Sequence, residues 1–163
     1  MKRAQGLTLM LLSLLGACSL LSGCLTGCGP EGKQVKALMR MSTQERLTAL
    51  AKLTPDKQLE MYFYGQRYEP PANFQFYIAP NWRSLLPVVK QRFASESSEK
   101  KLANMVALLT AISITQCSLV ERRDLLELAS RVVAKMQDHP YKEWAAGDLN
   151  TVTHPTKQLP PCQ

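Results

Sequence analysis

The sequence predicts an all-α domain of five or six helices, arranged as antiparallel hairpins with one long ordered loop. Three observations carry that expectation. Apolar residues recur at three- and four-residue spacing over most of residues 33–146, and hydroxyl residues with an acid three positions on mark helix starts. Only the stretch from Phe74 to Ile78 offers the alternation of a strand.

The elements follow in order. After a Gly and Pro tether at Gly27 to Gly32, Val35, Leu38 and Met39 fall at i, i+3 and i+4 in a first short helix. Ser42 with Glu45 forms a capping box, in which a hydroxyl and a carboxylate satisfy free N–H groups of the first turn, and Leu47, Leu50 and Leu53 share one face behind it. Thr54, Pro55 and Asp56 supply the next start: a cap, a preset first residue and a negative charge near the positive helix end. Gly65 marks the end of that helix. Residues 68–81 hold Pro70, Pro71, Asn73 and Pro80, and read as an ordered loop.

Helical spacing returns from Trp82, with Leu85, Leu86, Val89 and Phe93 on one side, Pro87 limiting where the regular helix begins, and Ser95 to Ser98 closing the element. The strongest helix runs from about Glu99 to Gln116, where Leu102, Met105, Val106, Leu109 and Ile112 make a broad apolar face. Ser118 with Glu121 is a second capping box, and Leu119, Leu125, Leu128, Val132, Val133 and Met136 extend a second long helix to near His139 and Pro140. A connector of about two residues requires these two helices to be antiparallel. Tandem pairs with a proline in the first helix resemble HEAT-like repeats in shape, although no fixed period recurs and an irregular bundle fits equally well.

The amino terminus carries an address. Lys2 and Arg3 precede 27 residues without a formal charge, an apolar run from Leu7 to Leu15 and then small residues, which is the order of a secretory signal. A permanent anchor needs roughly 20 apolar residues. Gly16, Ser19, Ser22 and Gly23 interrupt the second half and favour a cleavable end.

Leu21-Ser22-Gly23-Cys24 resembles the lipobox of bacterial lipoproteins. The resemblance covers only the leader and implies that a dedicated peptidase cuts before Cys24, whose thiol carries a diacylglycerol. Cys18 and Cys28 close overlapping matches and are the alternatives. The expected division is then 1–23 signal peptide, 24–32 tether, 33–146 helical domain and 147–163 tail. By the same resemblance, the absence of Asp after any of these cysteines implies the outer membrane of a Gram-negative cell, with the domain facing the periplasm.

Composition narrows the function. The chain has 163 residues, 45% of them apolar, with 20 Lys and Arg against 13 Asp and Glu. Losing Lys2 and Arg3 lowers the formal charge from +7 to +5, spread along the chain without a basic stripe, so nucleic acid is not an expected partner. His139 and His154 are the only histidines, and no phosphate loop, nucleophile elbow or metal-ligand spacing occurs. Neither an enzyme nor a cofactor or metal is expected.

The expectation is therefore a binding module: a lipoprotein held to the bilayer through an acylated cysteine, whose helical domain grips a protein partner in the envelope. One form is an immunity protein that neutralises a delivered toxin. The alternative is a structural or assembly part of a secretion or conjugation machine. Eight of the eleven aromatic residues fall between Tyr62 and Trp82. Successive helical residues point about 100° apart, so Tyr62, Phe63 and Tyr64 cannot all face inward. Tyr64, Tyr68 and Tyr77, with Arg67 beside them, are the expected partner-binding residues, while Phe63, Phe74, Phe76 and Trp82 are candidates to fill the gap between the front helices and the long hairpin. Cys117 and Cys162, the two cysteines clear of the leader, are expected to form a disulfide in an oxidising compartment.

Overall fold

The computed structural model describes residues 29–68, 73–116, 118–137 and 139–154. Among them every regular element is helical: α1 (Pro30–Arg40), α2 (Thr43–Ala51), α3 (Pro55–Gly65), the single turn α4 (Gln75–Ile78) continued by a 3-10 turn at Ala79–Asn81, α5 (Trp82–Ser95), α6 (Glu99–Thr115), α7 (Leu119–Lys135) and α8 (His139–Thr153). No helix among the described residues is long and apolar enough to cross a membrane.

Most helix starts follow their local signals. At Ser42 both halves of the capping box are made: its Oγ accepts from the Glu45 N–H at 3.4 Å, and the Glu45 carboxylate accepts from the Ser42 N–H at 2.9 Å. The Ser42 hydroxyl also donates to that carboxylate, and these bonds hold Glu45 below the ordinary carboxylate value. Thr54 caps α3 with Pro55 at its first position, and Ser118 caps α7.

Four expectations change. Among the described residues, seven helices of nine residues or more are present instead of five or six. The additional one is α8: Pro140 opens it instead of ending α7, because proline suits the first turn, where no intrahelical N–H bond is lost. Its inward residues Tyr141, Ala145, Leu149 and Val152 follow helical spacing past Gly147, where the tail was expected to begin. Residues 68–81 are not all loop. Asn73 takes a left-handed φ of 50° and the chain then winds into α4, with Phe74 fully buried beneath it. Finally, α5 starts at Trp82 and carries Pro87 inside the helix, forgoing one backbone bond.

The helices α5 to α8 run up, down, up and down. Arg83 at the start of α5 pairs with Glu121 at the start of α7 at 2.9 Å, and Lys135 at the end of α7 donates to the Phe93 and Glu96 carbonyls at the end of α5. The Gln137 N–H donates to the Glu99 carboxylate, which joins the end of α7 to the start of α6. In the middle lies α6, buried on most of its circumference; its inward hydroxyls, Thr110 and Ser113, donate to carbonyls of their own helix. Tyr62 in α3 is buried against it and donates to the Asn104 carbonyl at 2.8 Å, pinning the front helices to the bundle.

Candidate functional site

The end of α3 meets the starts of α6 and α8 at a cleft of about 410 Å³. Arg67 and Tyr68 come from the turn after α3, Lys100 and Asn104 from the first turns of α6, and Tyr141 and Trp144 from the first turns of α8. The start of α6 after Ser98 and the start of α8 at Pro140 place these turns side by side, since α6 and α8 run parallel across the bundle. Trp144 is 69% exposed and stands edge-on to Tyr141, ring centroids 5.7 Å apart. Tyr141 packs on the core, so it holds the indole in place while leaving a ring face to solvent.

The electrostatics of this cleft are one-sided. Arg67 and Lys100 are both exposed, no acidic side chain lines the cleft, and neither cation forms an ion pair among the described residues. A neighbouring recess of about 260 Å³, also bordered by Arg67, differs. There Glu60 accepts from Lys57 at 3.0 Å and lies 3.6 Å from Arg92, while Lys101 pairs with Glu96, so Arg92 and Lys101 are already matched. One turn beyond Trp144, Asp148 is held above the ordinary carboxylate value by partial burial, but it does not line the cleft.

Of the four residues expected to meet a partner, only Arg67 is exposed. Its guanidinium lies 4.5 Å from the centre of the Tyr64 ring. Tyr64 and Tyr68 are half-buried and secure the start of α1: the Tyr64 hydroxyl lies 3.7 Å from where a β-carbon on Gly29 would sit, and the Tyr68 hydroxyl donates to the Gly32 carbonyl at 3.1 Å. Tyr77 is elsewhere, on the α2 side. Its hydroxyl accepts from Arg46 at 2.7 Å, and the same guanidinium lies 4.8 Å from its ring centre. Tyr64, Arg67 and Tyr68 are thus together, and Tyr77 is apart from them.

Among the candidate gap-fillers, Phe74 and Trp82 are buried and Phe63 is half-buried, whereas Phe76 is 66% exposed. Phe76 borders a second recess with Pro80, Trp82 and Gln116 at the opposite end of α6, near the exposed Leu119 and Val120. From sequence alone the Lys100-Lys101 pair reads as a solvated helix face, and nothing singles out Asn104 or Trp144. The available signal was Trp144 itself, which lies off the Tyr141, Ala145, Leu149 stripe of α8. Cys18, Cys24, Cys28, Cys117 and Cys162 lie outside the described residues. No group of three or more potential metal ligands occurs among the described residues. Compared with known proteins, the chain matches no family model, no curated protein and no solved structure, so the site is read from its own residues.

Proposed function

We propose that this protein is a lipid-anchored bacterial envelope protein, held at the outer membrane facing the periplasm, whose helical domain binds a protein partner. The observation that carries the binding half is the cleft of Arg67, Tyr68, Lys100 and Trp144: arginine, tyrosine and tryptophan are the side chains that most often anchor protein interfaces, here held at the end of α3 and on the first turns of α6 and α8, which lose little entropy on binding. The tethering half rests on the lipobox ending at Cys24. Five residues from Cys24 to Gly29 reach at most about 17 Å, so an acyl anchor there would keep the cleft close to the bilayer. A toxin delivered by rival cells is one partner of this kind. The architecture reads as an irregular bundle in which α6 and α7 form the longest hairpin among the described residues, and not as HEAT-like repeats.

A second reading, a structural part of an envelope machine, is favoured by the exposed Phe76, Leu119 and Val120 at the far end from the cleft, since two separate faces suit a component held between two neighbours. A disulfide between Cys117 and Cys162 belongs to the same reading, on the sequence grounds that these are the two cysteines clear of the leader and that an exported domain meets an oxidising compartment. Thiol counting on the unfolded, non-reduced chain checks it.

Affinity capture of the tethered protein from its own envelope tests the function. Recovery of one stoichiometric partner supports the binding module, and recovery of an operon-encoded assembly supports the alternative. A protein whose intact mass shows no lipid on any of the three leader cysteines refutes the tether.

A further inference from the structure

We infer that the cleft between α3, α6 and α8 is the seat of an acidic, extended segment of the partner protein, with partner carboxylates on Arg67 and Lys100 and an apolar side chain against Trp144. This rests on the reading that the domain binds a protein, and it specifies the chemistry of the contact. Arg67 faces the cavity from the turn after α3 and Lys100 from the first turn of α6, and among the described residues no acid lines that cavity. Two like charges placed together without counter-charge repel each other, and a carboxylate that enters between them relieves that repulsion as well as forming charge-assisted hydrogen bonds. The adjoining recess, which Arg67 also borders, shows the contrast, because its other cations, Arg92 and Lys101, are already paired with Glu60 and Glu96.

The remaining lining suits a peptide. Gln66 and Asn104 side chains offer both donors and acceptors for a passing backbone, and Asn104 lies at the foot of the cleft, where its own carbonyl is already taken by Tyr62. Trp144 presents a large exposed ring at the rim, steadied from behind by Tyr141. A cavity of about 410 Å³ accommodates a few side chains and not a folded domain, so the partner enters as a strand or loop. A flat bilayer presents anions as well, but its headgroups meet convex surfaces, whereas these cations border a concave cleft flanked by three helices.

The two tryptophans make the test direct. The indole N–H signals of Trp82, which is buried, and Trp144, which is exposed, are followed by NMR in the full chain during titration with a short end-blocked peptide of glutamates around one leucine. The expected result is a saturable shift of the Trp144 signal with Trp82 unmoved. The same peptide with glutamine at every glutamate should bind at least tenfold more weakly, and tenfold more salt should weaken the glutamate peptide similarly. Arg67→Glu with Lys100→Glu, both at exposed positions, should abolish the shift while the Trp82 signal stays in place; the salt dependence of the unmutated chain carries the decision should that variant lose its fold. Equal binding of both peptides, or a silent Trp144, overturns the inference. So does a charge-reversal-sensitive shift produced by anionic phosphatidylglycerol vesicles and not by the peptide, which would assign the cleft to a membrane. Partner capture that survives the double reversal overturns the acidic contact while leaving the binding module standing; peptide binding with no partner recovered keeps the cleft chemistry and counts against the binding module.

Discussion

Arg46 offers the sharpest perturbation of this fold, because one guanidinium holds three separate pieces of chain. Its Nε donates to the Leu38 carbonyl at 2.9 Å, Nη2 to the Met39 and Met41 carbonyls at 3.0 Å each, and Nη1 to the Tyr77 hydroxyl at 2.7 Å. The first three close the carboxyl end of α1, where carbonyls lack intrahelical partners and carry the negative end of the helix dipole. The fourth ties α2 to α4. The bond to Met39 is exposed and water replaces it, but the other three are partly buried and contribute about 1 kcal/mol each. Arg46→Met keeps the aliphatic stem and removes the donors, so it should cost about 3 kcal/mol, or a fall in Tm of about 12 °C at roughly 4 °C per kcal/mol for a chain of this size. Arg46→Lys retains the charge but not the planar fork, and should recover less than half of that loss. Tyr77→Phe removes only the last bond and should cost about 1 kcal/mol. Equilibrium urea denaturation followed by helical circular dichroism, with unchanged slopes, measures each value, and the double variant gives the coupling between the two residues. A cost below about 0.5 kcal/mol for Arg46→Met, the range of ordinary surface changes, would show that the network contributes nothing and would return Tyr77 to the surface role expected from sequence.

Leu109→Ala, in the buried centre of α6, should cost about 3 kcal/mol, while Leu119→Ala, at an exposed position, should cost less than about 0.5 kcal/mol; denaturation midpoints compare them. Burial alone would raise Glu96, but N–H bonds from Ser98 and Ser97 and the nearby Lys101 ammonium outweigh it and hold the carboxyl below its ordinary value of 4.5. Because the folded value is the lower one, this stabilisation is complete above 4.5 and is lost as pH falls through the folded value. Glu96→Gln should therefore reduce stability at pH 7 and flatten the acid limb of a stability-against-pH curve. Asp148 has the opposite sign. Burial raises it above 3.8, so its ionised form costs stability; Asp148→Asn should raise Tm at neutral pH, with the gain vanishing as pH drops below 3.8.

Local chemistry determined a large part of this protein. The caps at Ser42, Thr54 and Ser118 and the stop at Gly65 act through neighbouring backbone groups, so they stand in the structure where the sequence alone placed them. The apolar face of α6 was likewise legible, because burial of a helix on several sides demands apolar residues around most of it. Proline and glycine were less readable. Pro140 can stop one helix or open the next, and only the docking of Tyr141, Ala145, Leu149 and Val152 onto the bundle makes it an opening. The same holds for the aromatic cluster: Phe74 and Phe76 are two residues apart, yet the left-handed turn at Asn73 sends the first into the core and leaves the second in water. Tyr77 became part of a hydrogen-bond network because Arg46, 31 positions earlier, folds against it. The cleft itself brings together Arg67 from the turn after α3, Lys100 from α6 and Trp144 from α8. Nothing local relates those residues, since their proximity follows from the up-and-down path of α5 to α8 and from Tyr62 pinning α3 to α6, and tertiary packing alone put both cations on one cleft with no acid among its described lining.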